Sequence, residues 1–445
     1  MSHKGSSSSI YSQIRLLIDQ GEISSFQWKI IAICFCIVLL DGFDIAIVAY
    51  IAPLLKKELS LGSQHLSYLF MSGVLGLMLG SMIFGSLADK FGRKSVLLIS
   101  MLLYGVSTFL CGLVDNIDAL IFLRFITGLG LGGAMPVSIA LCAEYSPEKH
   151  RMLLCTLGWS GFTVGIAAGG FFSNFLLEQL NWSWLFYIGG VLPLLSILVV
   201  LKELPESLEY LVRIGEHRKL STVLKKMNLQ MNDIALSTEN LVWGYIEKVP
   251  SVRCLFTRDN ILLTLLLWVA FFFSLMVFYL LTYWIPLLFD ERYSLKEVNI
   301  LTAMIPLGGT VGAFILAVFI DRKKAAFLTL AISYLASFGL LLFVPSVSGD
   351  YYSLLICLFF IGFTIAGAQN GLNLVSPTIY QAYARATGVG WAMSSGRLGS
   401  IVGSYIGALL AQNSIETFFN YLSIGGIICS MALFGIFLYR KLVVI

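Results

Sequence analysis

The sequence predicts an all-α membrane protein whose twelve transmembrane helices form two pseudo-symmetric six-helix bundles. Three observations carry this. Hydrophobic residues fill 58% of 445 positions and charged residues 12%, about half the charged share of a soluble chain, and the mean hydropathy is +0.87. A bilayer core takes about 20 apolar residues per helical crossing, and twelve uncharged runs of that order can be counted along the chain. One long polar segment, 202–259, divides them six and six.

In order, the runs fall near 28–51, 66–87, 95–114, 119–143, 153–177 and 184–201, then 260–288, 297–320, 325–344, 351–376, 386–411 and 416–439. The layout expected from them is an N-terminal segment 1–27, a first bundle 28–201, a linker 202–259, a second bundle 260–439 and a tail 440–445. The polar stretch before Trp28 has no short apolar core with a small-residue cleavage site, so no removable signal peptide is expected. Basic residues stay on the cytoplasmic side. Placing the amino terminus inside leaves only Lys56, Lys57, Arg292 and Lys296 outside, with Arg124 and Arg397 inside spans. Both termini are then cytoplasmic, in an inner membrane, and a monomer is expected.

The two halves repeat. Gly161, Gly165 and Gly169 in the fifth span have the spacing of Gly399, Gly403 and Gly407 in the eleventh. Glycine at every fourth position lets helices approach closely. Asp89 with Arg93 follows the second span, as Asp321 with Arg322 follows the eighth. Matching features at matching places indicate a duplicated six-helix unit.

Four ionisable residues lie well inside the spans: Asp41, Asp44, Arg124 and Arg397. Each costs about 2.5–3.5 kcal/mol there on insertion scales and needs a partner or a watery cavity. Asp41 and Asp44 share a helical face, roughly 20 and 24 Å from the cytoplasmic edge at about 1.5 Å per residue. Arg124, about 7.5 Å from the opposite edge of a core of about 30 Å, sits at the depth of Asp44 and can pair with it. Two carboxylates so close repel, and burial disfavours charge, so one of them is expected to carry the coupling proton, with Arg124 setting its affinity. Arg397, near mid-membrane, has no acid in its own span and suits a carboxylate, which meets a guanidinium through two parallel hydrogen bonds. Gln369, Asn370 and Asn373 supply polar groups nearby, while Tyr279, Tyr283 and Trp284 can flank a planar apolar body. Glu144, at the cytoplasmic end of the fourth span, is a candidate proton exit or a partner for Arg93.

The loop Gly85-Ser86-Leu87-Ala88-Asp89-Lys90-Phe91-Gly92-Arg93-Lys94 resembles the hallmark loop of the major facilitator superfamily, in the expected place between the second and third helices. Asp89, Gly92 and Arg93, with Asp321 and Arg322 in the second half, form the expected conformational latch. A narrower resemblance covers most of the chain. Asp41-Gly42-Phe43-Asp44, then Gly367-Ala368-Gln369-Asn370-Gly371-Leu372-Asn373, then Ala384-Arg385-Ala386-Thr387-Gly388-Val389-Gly390-Trp391 and Gly396-Arg397, are similar to the aromatic acid:proton symporters of that superfamily. The resemblance implies the major facilitator fold and import of an aromatic carboxylate with protons. It also implies roles in uptake for Asp41, Asp44, Asp89, Gly92 and Arg93.

Other classes fit less well. The net charge of +4 is mild and scattered, so no nucleic-acid partner is expected. The eight cysteines show no metal-type spacing, and no metal or cofactor is expected beyond the proton. His3, His65, His150 and His217 lie outside the runs, against an imidazole relay. Gly128-Leu129-Gly130-Leu131-Gly132-Gly133 matches a dinucleotide pattern but sits inside an apolar run with no preceding strand. An enzyme or receptor lacks a nucleophile with a base or a reason for the duplication. The competing transport readings are a proton-coupled drug or metabolite efflux antiporter, against which stands the absence of a Gly-Pro step in Gly161 to Gly170, and a symporter of non-aromatic carboxylates.

Overall fold

The computed structural model describes residues 10–229, 252–257, 260–323, 325–380 and 385–443. Among them are fifteen α-helices. The first half holds α1 (Ile10–Gln20), α2 (Ser25–Glu58), α3 (Ser63–Phe91), α4 (Arg93–Cys111), α5 (Ile117–Tyr145), α6 (Glu148–Leu177) and α7 (Ser183–Glu203). Two short helices follow, α8 (Leu208–Ile214) and α9 (His217–Lys226). The second half holds α10 (Ile261–Phe289), α11 (Leu295–Lys323), α12 (Ala326–Val347), α13 (Tyr351–Val375), α14 (Arg385–Leu410) and α15 (Ile415–Val443). Among the described residues, eleven helices are long and apolar enough to cross a bilayer. The exception among the twelve long helices is α14, whose interior carries Arg397, Ser400, Ser404 and a glycine every fourth residue. It packs on α10 and on α3 of the other half, so its polar positions face protein.

Ends are set by local chemistry. Ser24 caps α2, its hydroxyl accepting the Gln27 amide N–H while the Gln27 side chain accepts from the Ser24 N–H, so two otherwise unsatisfied donors are bonded. This starts α2 at Ser25, ahead of the apolar run, and the helix continues past Pro53 to Glu58.

The halves have one packing pattern. In the first, α3 packs on α5, α2 on α6, α4 on α5 and α4 on α7; in the second, α11 packs on α13, α10 on α14, α12 on α13 and α12 on α15. The glycine rows make two of these pairs close. A Cβ at Gly165 would run into the Leu39 carbonyl of α2, and one at Gly399 into the Phe272 carbonyl of α10. Gly165→Val should therefore force α2 and α6 apart and cost about 1–3 kcal/mol, read as a lower melting temperature in detergent. Gly339→Ala, where nothing lies within 4 Å, serves as the unaffected control.

Twelve alternating crossings bring α1, α8, α9 and the end of α15 to one face, here the terminal face. Across the halves α6 meets α11, α3 meets α14 and α2 meets α10. Toward the opposite face the halves are joined by Lys57 with Asp290 at 3.2 Å, Lys296 with Glu178 at 2.8 Å, and Asn299 donating to Asn174 at 3.0 Å. The Ser67 hydroxyl donates to the Ser404 carbonyl at 3.1 Å. Thr163 and Thr310, each halfway along its helix, share a hydrogen bond of 2.6 Å.

Candidate functional site

The central feature of the first half is an ion pair sealed in protein. Arg124 on α5 donates from Nη1 to Asp44 Oδ2 of α2 at 2.9 Å and from Nη2 to the Asp44 carbonyl at 3.2 Å. The Thr108 hydroxyl of α4 donates to the other carboxylate oxygen at 2.5 Å. Asp44 is 0% exposed and Arg124 3%, so the pair is held by fixed donors rather than by water.

Asp41 lies almost one turn toward the terminal face and is 1% exposed. Neither of its carboxyl oxygens has a close hydrogen bond, and its polar neighbour is the Tyr104 hydroxyl of α4, a neutral donor that likewise makes no close bond elsewhere. The two aspartates thus share a helical face and differ in satisfaction. An unpaired buried carboxylate is costly, whereas a carboxylic acid is tolerated. In this conformation both are closed off inside the first half.

Arg397 on α14 is half-buried, and its Nη1 donates to the Tyr279 hydroxyl of α10 at 3.1 Å. Tyr279 leads to Tyr283, with ring centroids 5.5 Å apart. Tyr283 stacks on Phe70 of α3 at 4.6 Å and 6°, and Trp284 meets the same Phe70 edge-on at 5.6 Å. These three rings bridge the halves toward the opposite face, and all three are buried there. Gln369 accepts from the Ser274 hydroxyl at 2.5 Å and donates to Asn373 at 3.2 Å. Ser274 also shares a hydrogen bond with the Tyr334 hydroxyl. Asn370 and Asn373 are half-buried.

At the terminal face the loop residues engage their own half. Arg93 pairs with Glu144 at 2.7 Å and with Glu209 of α8 at 3.5 Å. The Ser207 hydroxyl also donates to Glu144, at 2.9 Å. Gly92 has φ of 95°, and the Glu206 carboxylate packs where a Cβ would stand, accepting the Lys94 amide N–H at 3.0 Å; two constraints require glycine there. The Asp89 side chain is exposed, and its carbonyl accepts from Arg213. The side chains of Asp321 and Arg322 lie outside the described residues, as does that of Arg385. Helix α1 clamps the α5–α6 junction: Arg15 donates to the Glu144 carbonyl at 2.6 Å, and Asp19 accepts the Glu148 amide at 2.7 Å.

Sequence reasoning missed Thr108, Tyr104, Phe70, Ser274 and Tyr334. Each is an uncharged polar or aromatic residue within an apolar run, and its role depends on a partner from another helix.

Twelve long helices in two repeats around a buried charged midline are the build of a multi-pass membrane transporter, not of an enzyme. The chain belongs to the Major Facilitator Superfamily, whose sequence pattern matches residues 34–404. It is 34% identical over 404 residues to the 4-hydroxybenzoate transporter PcaK of Acinetobacter baylyi, covering 89% of this chain and 88% of that protein. It is 34% identical over 394 residues to the gallate transporter of Pseudomonas putida, covering 88% and 87%. In fold it is similar to the xylose transporter XylE from E. coli in a partially occluded inward-open conformation, with TM-score 0.71, 15% identity, and coverage of 94% and 98%. That last likeness is one of architecture. The sequence relatives carry names of aromatic-acid transporters, the group that Asp41-Gly42-Phe43-Asp44 and its companion motifs resemble.

Proposed function

We propose that this chain imports a small aromatic carboxylate of the benzoate or hydroxybenzoate kind together with protons across the inner membrane, with both termini cytoplasmic. The observation that supports the coupling is Asp41, a buried carboxyl with no close hydrogen bond and no countercharge, one turn from an aspartate whose carboxylate accepts from both Thr108 and Arg124. Asp44 serves as the fixed countercharge of Arg124, and Asp41 is the group that binds and releases the proton. It is loaded when the halves part on the opposite face and Phe70 separates from Tyr283. The names of the relatives support the substrate class.

Arg397 meets the carboxylate. Its bond to the neutral Tyr279 hydroxyl is one that an anion displaces, because hydrogen bonds between ionised groups are about twice as strong. Arg397→Lys keeps the charge but loses the fork, so KM should rise about tenfold with a much smaller change in the maximal rate. An unchanged KM would remove Arg397 as the clamp.

The deciding experiment is uptake of radiolabelled benzoate and 4-hydroxybenzoate into proteoliposomes with and without an inside-alkaline pH gradient. Gradient-driven accumulation, abolished by a protonophore, is expected. Uptake indifferent to the gradient would remove the proton, and no uptake of either acid would remove the substrate class.

A further inference from the structure

On the terminal face, away from the central charges, a cavity of about 310 Å³ opens between the start of α2, the end of α7 and helix α9. Its wall is basic: Lys202, Arg218, Lys219 and Lys226 line it, along with Phe26 and Leu204. Two acids also border it, and both are occupied. Glu203 is paired with Lys29 at 2.5 Å, and Glu206 accepts the amide N–H groups of Lys94 and Ser207. Lys202, Arg218 and Lys226 have no ion pair among the described residues, and Lys219 has only a loose one with Glu216 at 3.8 Å. The four basic groups outnumber the two acids, so the cavity carries a net positive charge.

Its depth and its neighbours say what can fill it. Trp28, one turn from the start of α2, is 48% exposed, and exposed tryptophan concentrates at the level of lipid headgroups. Leading away from the cavity along α7, Leu192, Leu195, Leu198, Val199 and Leu201 are 41–65% exposed. This greasy strip is about 15 Å long at about 1.5 Å per residue, close to the depth of one leaflet. Helix α9 turns Leu220, Val223 and Leu224 into the protein and leaves Arg218, Lys219, Lys225 and Lys226 outward. The basic side of α9 is thus left free to face a negatively charged membrane surface, which attracts each such group.

We infer that this cavity binds one anionic phospholipid of the leaflet at the terminal face. Its phosphate lies against Lys202, Arg218, Lys219 and Lys226, and its acyl chains lie along the exposed strip of α7. The lipid ties α9, part of the segment that connects the halves, to the first half.

The test uses the purified full-length protein in detergent. Native mass spectrometry counts retained lipid after addition of dioleoylphosphatidylglycerol, dioleoylphosphatidylethanolamine or dioleoylphosphatidylcholine. Phosphatidylglycerol should be retained at about tenfold lower concentration than the other two, and the triple variant Arg218→Gln, Lys219→Gln, Lys226→Gln should lose that preference, since each basic group near a negative surface contributes about fivefold. The charge-preserving Lys219→Arg, Lys226→Arg variant should keep it, which separates lost charge from lost fold. Equal retention of all three lipids, or an undiminished preference in the triple variant, would overturn the assignment. So would inorganic phosphate raising the melting temperature as far as phosphatidylglycerol does, because the acyl chains would then contribute nothing.

Discussion

Asp41→Asn is expected to give a folded protein that exchanges substrate across the membrane but no longer accumulates it. Asparagine copies the shape of the neutral carboxylic acid, breaks no close hydrogen bond of Asp41, and keeps a carbonyl oxygen for the Tyr104 hydroxyl beside it. The melting temperature should move little. The loss is in coupling: each pH unit across the membrane is worth about 1.36 kcal/mol per proton, a tenfold accumulation, and the variant forfeits that factor for every proton Asp41 carries. Wild-type uptake should fall as external pH rises, while the variant's counterflow should stay flat. Proteoliposomes preloaded with unlabelled substrate make the measurement. A variant that still accumulates label under a pH gradient would take the carrier role away from Asp41.

Asp44→Asn should behave in the opposite manner. It leaves the Arg124 guanidinium buried with a neutral amide in place of its countercharge, and removing one member of a buried ion pair costs about 3–5 kcal/mol. A large drop in melting temperature and in the amount of folded protein should accompany the loss of uptake. The double variant Asp44→Leu, Arg124→Met removes both charges and should recover much of that stability without recovering transport. Thermal unfolding of Asp44→Leu, Arg124→Met and the double variant closes the cycle, and additive losses would mean that the pair contributes no mutual stabilisation. Asp41→Asn and Asp44→Asn, one helical turn apart, thus separate a proton site from a structural charge.

The spans were legible because burying a peptide backbone in lipid demands long apolar helices, and this pattern survives without knowledge of neighbours. Depth was legible too: counting residues from opposite edges brought Asp44 and Arg124 to one level, where they meet at 2.9 Å. Which aspartate is satisfied was not legible, since the answer lies in Thr108 of α4 and its 2.5 Å bond to Asp44. Nor was the division of labour among Tyr279, Tyr283 and Trp284. It is fixed by Phe70 of α3, whose stacking partner belongs to the other half. Helices α1, α8 and α9 escaped notice because they are only 11, 7 and 10 residues long. Their stability comes from contacts such as Ile14 and Ile18 buried against the first half, not from an apolar run.

The low hydropathy of α14 has a consequence for biosynthesis. A nascent segment with Arg397 at its middle and serines and glycines around it partitions poorly into lipid alone, the arginine by itself costing about 2.5–3.5 kcal/mol. It has to leave the translocon against helices already installed, α10 and α3, with the greasier α15 drawing it in from behind. Because the Ser404 carbonyl of α14 receives the hydroxyl of Ser67, the last hairpin off the ribosome also supplies one of the bonds that tie the two halves together. A newborn chain stopped short of residue 385 would lack both that bond and the packing of α14 on α3.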